Sequence, residues 1–332
     1  MFAGALLSVL IPLGTPAFAQ QDAAPRSEPS GVAPAEIVTA YLQQLGLKRL
    51  QAEDLAERLK SAPGDQRVGL AERLAKLYVQ LLTDSDDVDV RRVWEDRSRE
   101  LLHAVPEADT YELRLALNRA LYIRAEDSLE RHRLRLATQE EVAEAERILR
   151  GLKPQLEEIG ARSNRKVEGF EAQEEKGDTN DRMLEEMSEA RRARSQAFYY
   201  AGWCSYYLAY LTGADEHAAD ALKNFGWLLN SRGSRIASIE RLPVELLKYD
   251  HVARASIGCG LASALRGNET LALRWFDEVE KAEELPESIK PILLPRRITV
   301  LAGAKRWADL ERLIRLERNS DCLLYTSDAA DE

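Results

Sequence analysis

The densest run of chemically capable side chains is FYYAGWCSYYLAY, residues 198–210. Wound as a helix, it places Tyr199, Trp203, Tyr206 and Tyr210 at i, i+4, i+7 and i+11, one stripe. Tyr200 and Tyr207 form a second stripe about a hundred degrees away. Aromatic rings carry large apolar areas, and tyrosine and tryptophan add a hydroxyl or an indole N–H. Two readings follow. In one, the stripes pack into neighbouring helices and the hydroxyls find local partners. In the other, one stripe lines a groove and holds a peptide or glycan strand. The partner-binding candidates on the second reading are Tyr199, Trp203, Tyr206 and Tyr210, joined by Arg254 from a later helix.

Other reactive side chains offer less. The four histidines, His103, His132, His217 and His251, are scattered, with no pair at metal-ligand spacing. H-E-x-x-H, G-x-S-x-G and a phosphate loop ending in Gly-Lys-Ser or Gly-Lys-Thr are all missing. The basic RGSR at 232–235 is too short for a phosphate loop and reads as a surface turn. Among 56 carboxylates, none stands out as a general acid with a raised pKa. No catalytic residue, metal or cofactor is expected. Cys204 and Cys259 lie in two aromatic- and alanine-rich helices, and Cys322 lies close to the end. In an exported protein Cys204 and Cys259 have the means to form a disulfide. The competing reading is two buried, small, apolar thiols.

The elements that position these residues are helices. Of 332 residues only 12 are proline and 18 glycine, and 45% are hydrophobic against 31% charged, enough for a large core. The net charge of −10 argues against a nucleic-acid partner, because phosphate binding needs a basic surface. One apolar face runs through Ile37, Tyr41, Leu42 and Leu45, a second through Leu70, Leu74, Leu77, Tyr78 and Leu81, and a third through Leu113, Leu117, Ala120 and Leu121. The breaks SAPGD, TDSDD and VPEAD supply capping residues for the helices that follow. Residues 138–194 are heavily charged. Thr138 and Glu141 fit a capping box, a narrow stripe from Val142 fades after Ile159, and EKGDTND breaks the run. Two long solvated helices, a protruding hairpin, are predicted there.

From Ser195 the chain repeats itself. Each of two units has a helix dense in alanine, glycine and aromatics, then a turn, then an A-x-x-x-F pair, Ala221 with Phe225 and Ala272 with Phe276. A weaker third unit covers 291–317. Helix pairs that recur build a solenoid, since no pair alone covers its own apolar face. The unit around Gly260 resembles a tetratricopeptide (TPR) repeat, with Gly260 at the close crossing, Gly267 and Asn268 at the turn, and Ala272, Phe276 and Pro286 near the small, aromatic and proline positions. The resemblance is weaker over 195–229 and 291–317, and residues 34–194 lack the strict pattern. It implies an all-α superhelix of αα-hairpins whose concave face holds a protein or peptide partner. Arg254, Ile257 and Leu261 stand on the corresponding face, so the Lys/Asn carboxylate clamp known from such repeats is not expected.

The ends carry different signals. Residues 1–19 are uncharged and close on Ala17, Phe18 and Ala19, an A-x-A cleavage site, so a signal peptide and an extracytoplasmic, periplasmic location are expected. The run lacks a basic start and is short for a membrane span. Residues 20–33 read as a disordered spacer, 34–137 as an N-terminal helical array, 138–194 as the charged hairpin and 195–321 as TPR-like repeats. CLLYTSDAADE at 322–332, read back into codons, resembles a transposase mosaic-end sequencing adapter, so this tail and Cys322 are expected to be non-native and poorly packed. The functional expectation is an exported scaffold that binds a protein or peptide on its concave surface without catalysis. The rival is an accessory helical region of an exported enzyme whose catalytic domain lies beyond Asp321. Self-association through 138–194 is a third option.

Overall fold

A computed structural model of the protein describes residues 34–85, 87–177, 180–229 and 236–316. Among these residues all regular structure is helical, with no strand. The leader, the spacer, the RGSR turn and the adapter-like tail with Cys322 lie outside the described residues.

Helix α1 (Pro34–Gln44) and the turn after it form one compact unit, and the chain from Lys48 onward forms another. The α1 face expected from Ile37, Tyr41 and Leu45 is exposed rather than packed. The helix ends at Gly46, whose φ of 68° suits a residue without a Cβ.

In the second unit, α2 (Lys48–Ser61), α3 (Gly64–Asp84), α4 (Val88–Ala104) and α5 (Tyr111–Arg133) come first. Asp87 caps α4 by accepting from the Asp89 and Val90 N–H groups, and Thr110 caps α5 by accepting from Leu113 N–H. The stripe Leu70, Leu74, Leu77, Tyr78 and Leu81 is buried on α3, against a core that includes Leu55, Trp94 and Leu113.

A long hairpin follows, α6 (Gln139–Glu174) and α7 (Asp181–Thr212). Thr138 and Glu141 form a complete capping box at its start. The buried stripe does not end at Ile159. It continues through Gly160, Ser163, Asn164 and Val167, facing a helix that buries Met183, Met187 and Ala190. Small residues leave room for the side chains of α7; a Cβ on Gly160 would lie 2.9 Å from the Phe198 ring, which packs over this glycine. The expected boundary at 194/195 coincides with no break in the helix. It falls inside α7, which runs unbroken from the charged segment into the aromatic one, since nothing around Ser195 interrupts the helical hydrogen bonds.

The remaining helices are α8 (Asp215–Leu229), α9 (Asp250–Leu265), α10 (Glu269–Glu280) and α11 (Lys290–Gly303), with a further helical stretch at 307–316. Gly213 ends α7 at φ 69°. Gly267 turns the chain at φ 75° into α10, which Asn268 caps. The two phenylalanines of the repeated pairs fill gaps left by glycines. A Cβ on Gly202 or on Gly258 would lie 2.5 or 2.6 Å from the Phe225 ring, so that ring is wedged between α7 and α9. A Cβ on Gly260 would lie 2.5 Å from Phe276 and 3.0 Å from the Ala272 carbonyl oxygen, where α9 crosses α10.

The odd-numbered helices touch one another in succession, α3 to α5, α5 to α7, α7 to α9 and α9 to α11. Each even-numbered helix packs mainly on its neighbours in the chain. The odd row is therefore the closely spaced face, and it carries most of the residues singled out above.

Candidate functional site

The row is tied together on α5. Glu126 accepts a hydrogen bond from the Tyr122 hydroxyl at 2.8 Å. The Tyr207 hydroxyl of α7 stands 2.7 Å from Glu130 and 3.4 Å from Glu126. It has one proton to donate, and the shorter contact takes it. Glu130 also accepts from Arg133 at 3.2 Å and from Arg296 of α11 at 3.1 Å, and Arg133 donates to the Thr299 hydroxyl at 2.6 Å. Residues far apart in the chain thus join α5 to α11, and Tyr207 joins α7 to α5.

One turn before Glu130, Glu126 is held differently. Burial pushes its carboxyl above the usual range and Glu130 adds to this, while the hydrogen bond from Tyr122 and the charge of Arg254 oppose it. Burial likewise raises Tyr199, with Glu126 and Tyr200 adding to it and Arg254 opposing. On α9, burial works against the charge of Arg254, but a 2.6 Å hydrogen bond to Asp250 and the carboxylates nearby hold its pKa up. Glu126, Tyr199 and Arg254 come from three successive helices of the row, lie within one another's electrostatic reach and are each partly exposed. They are the candidate site.

The aromatic stripe is divided between site and core. Tyr199 and Tyr210 are partly exposed, whereas Trp203 and Tyr206 retain only 5% and 2% of their accessible surface. Trp203 packs edge-on against Tyr206 and Phe225, with centroids 5.6 and 5.5 Å away, and its Nε1 has no hydrogen-bond partner among the described residues. Tyr210 meets His132 edge-on at 6.3 Å, towards the other end of α7 from Tyr199. Trp203 and Tyr206 are therefore core residues rather than groove-wall residues, because the helices around them are drawn together at Gly202 and Gly258. Ile257 and Leu261 are buried too, which leaves Arg254 alone of the α9 trio in contact with solvent.

Cys204 and Cys259 are free, fully buried thiols, and the bridge between them is not formed. The Phe225 ring occupies the space between their helices at the adjacent glycines. Burial raises both thiol pKa values, which keeps them protonated and unreactive.

Glu126 escapes sequence reasoning. The expectation of no carboxyl with a raised pKa is corrected here: the cause is burial of Glu126 where α7 packs on α5. A local signal exists. Glu126 lies four residues after Tyr122 and next to Ala125, both buried, so it borders the packed face of α5.

Among the described residues no group of three or more His, Cys, Asp or Glu is arranged to hold a metal ion, and no helix is long and apolar enough to cross a membrane. No protein-family model, curated protein or solved structure matches the chain.

Proposed function

We propose that the chain is an exported helical-repeat scaffold of TPR-like kind that takes a protein or peptide partner on the face built by α5, α7, α9 and α11. The observation that carries this reading is the partly exposed trio Glu126, Tyr199 and Arg254. A peptide laid across these helices would donate backbone N–H groups to Glu126, offer carbonyl oxygens to Arg254 and stack side chains on Tyr199. The solenoid reading draws support from the paired helices, the glycine–phenylalanine crossings and the successive contacts of the odd row. Export rests on the uncharged leader and its A-x-A site. Binding of this kind needs no nucleophile, and no catalytic step is assigned to these residues.

A photo-crosslinking amino acid placed at Tyr199 in the producing cell should trap a discrete adduct that Arg254→Glu abolishes. The same probe at Leu184 on the charged hairpin should trap none. No adduct from position 199, or equal adducts from both positions, sinks the proposal. Fusing residues 1–33 to a phosphatase active only outside the cytoplasm should give active enzyme, and an inactive fusion removes the export reading.

A further inference from the structure

Away from Glu126, Tyr199 and Arg254, a trough of about 980 Å³ opens between α10, the segment 281–289, α11 and the helical stretch 307–316. That is large for a small-molecule pocket. Its apolar lining includes Leu285, Leu293, Leu294 and Leu313, supplied by separate stretches of chain, and of these only Leu293 is fully buried. Glu280, Glu283 and Glu287 stand on its rim, all exposed.

The charge balance decides what fits. Two cations line the trough, and both are already matched. Arg297 pairs with Asp277 at 2.8 Å and Glu280 at 2.7 Å, and Lys290 pairs with Glu287 at 2.7 Å. Glu283 makes no ion pair among the described residues. Of the four glutamates in EKAEELPE at 280–287, Glu280 and Glu287 are matched by those same two cations and Glu284 lies 3.8 Å from Lys248, so the lining carries three carboxylates against two cations and Glu283 is the unmatched charge. An apolar floor under a negative rim complements an amphipathic helix with leucine-like residues on one face and lysine or arginine beside them, the helix-in-groove mode of recognition.

We infer that the α10–α11 trough docks a basic amphipathic helical segment of a partner protein, its apolar side chains on the leucine floor and its cations against the glutamate rim. This inference does not depend on the reading of Glu126, Tyr199 and Arg254, none of which lines the trough. The whole chain is acidic, so attraction that is merely general has to be separated from docking.

The experiment measures fluorescence anisotropy of a labelled synthetic Leu/Lys amphipathic helix titrated with the full chain, and with a Leu/Glu helix of the same pattern for comparison. Saturable binding of the Leu/Lys helix is expected, weakened about tenfold or more in Glu283→Lys/Glu287→Lys and again in Leu294→Asp. The control Glu174→Lys/Glu175→Lys, on the hairpin tip, should bind as the parent does. Circular dichroism checks each variant. If Leu294→Asp fails to fold, Leu285→Asp on the adjoining segment asks the same question. Equal loss in the hairpin control reduces the effect to general charge and overturns the inference. Equal binding of the Leu/Glu helix, or no effect of the trough variants, overturns it as well.

Discussion

The two halves of α7 are one helix held in two ways. Its first half, 181–194, buries Met183, Met187 and Ala190 against α6 and surrounds them with exposed charge. Its second half, 195–212, buries nearly every residue from Ala197 to Ala209 and touches α5, α6, α8 and α9. Backbone hydrogen bonds are the same in both. The difference is how much surface each half removes from water and how closely other helices approach. Helical continuity is thus no measure of cohesion, because most helix stability in proteins comes from tertiary packing.

The strongest blow to this contrast is Phe225→Ala. The ring fills the gap between Gly202 and Gly258, so a loss of about 3–5 kcal/mol is expected, read as a lower urea midpoint. A loss near zero would mean that the crossing collapses freely, and the aromatic half would lose its special standing. Next comes Gly202→Ala. The added methyl meets the same ring, which Gly258 confines from the other side, and a cost of about 1–3 kcal/mol follows from overpacking. An unchanged midpoint would show that the ring can withdraw.

Glu126→Gln sharpens the comparison through pH. Both amide and carboxylate accept from Tyr122, but only the carboxyl titrates. Well below its usual value of 4.5, Glu126 is protonated folded and unfolded, and it adds no pH dependence. Because its folded pKa is raised, the native state keeps the proton longer as pH climbs, and stability falls until the folded pKa is passed. Wild type should therefore lose ground to Glu126→Gln as pH rises from acid towards neutral, then run parallel to it. A gap that is flat throughout, or that moves the other way, defeats the assignment.

The smallest effect belongs to the hairpin. Arg191 pairs with Glu171 at 2.9 Å, and both side chains are nearly half exposed. Arg191→Ala should stay within about 0.5 kcal/mol. A loss comparable to that of Phe225→Ala would erase the distinction between the halves.

Much of this was readable from residues alone. The Thr138–Glu141 box, the end of α6 at Glu174, the start of α7 at Asp181 and the Gly267–Asn268 turn follow the local signals, because capping and turns depend on partners a few residues away. The resemblance to a tetratricopeptide repeat also placed Gly260 at a helix crossing, where Phe276 packs on it. What was not readable depended on remote neighbours. Tyr199 and Trp203 share a stripe, yet Phe225 buries one of them and leaves the other partly exposed. Glu126 looked like one of many carboxylates, and only the packing of α7 on α5 buries it.

The sequence by itself determined the helices, where most of them start and stop, and which of their faces are apolar, since period and capping act within a turn or two. Only the tertiary structure decided which aromatic side chains meet solvent, that α7 crosses the charged–aromatic boundary unbroken, and that Glu126, Tyr199 and Arg254 stand together. Burial belongs to pairs of surfaces, and the surfaces paired here lie many residues apart in the chain.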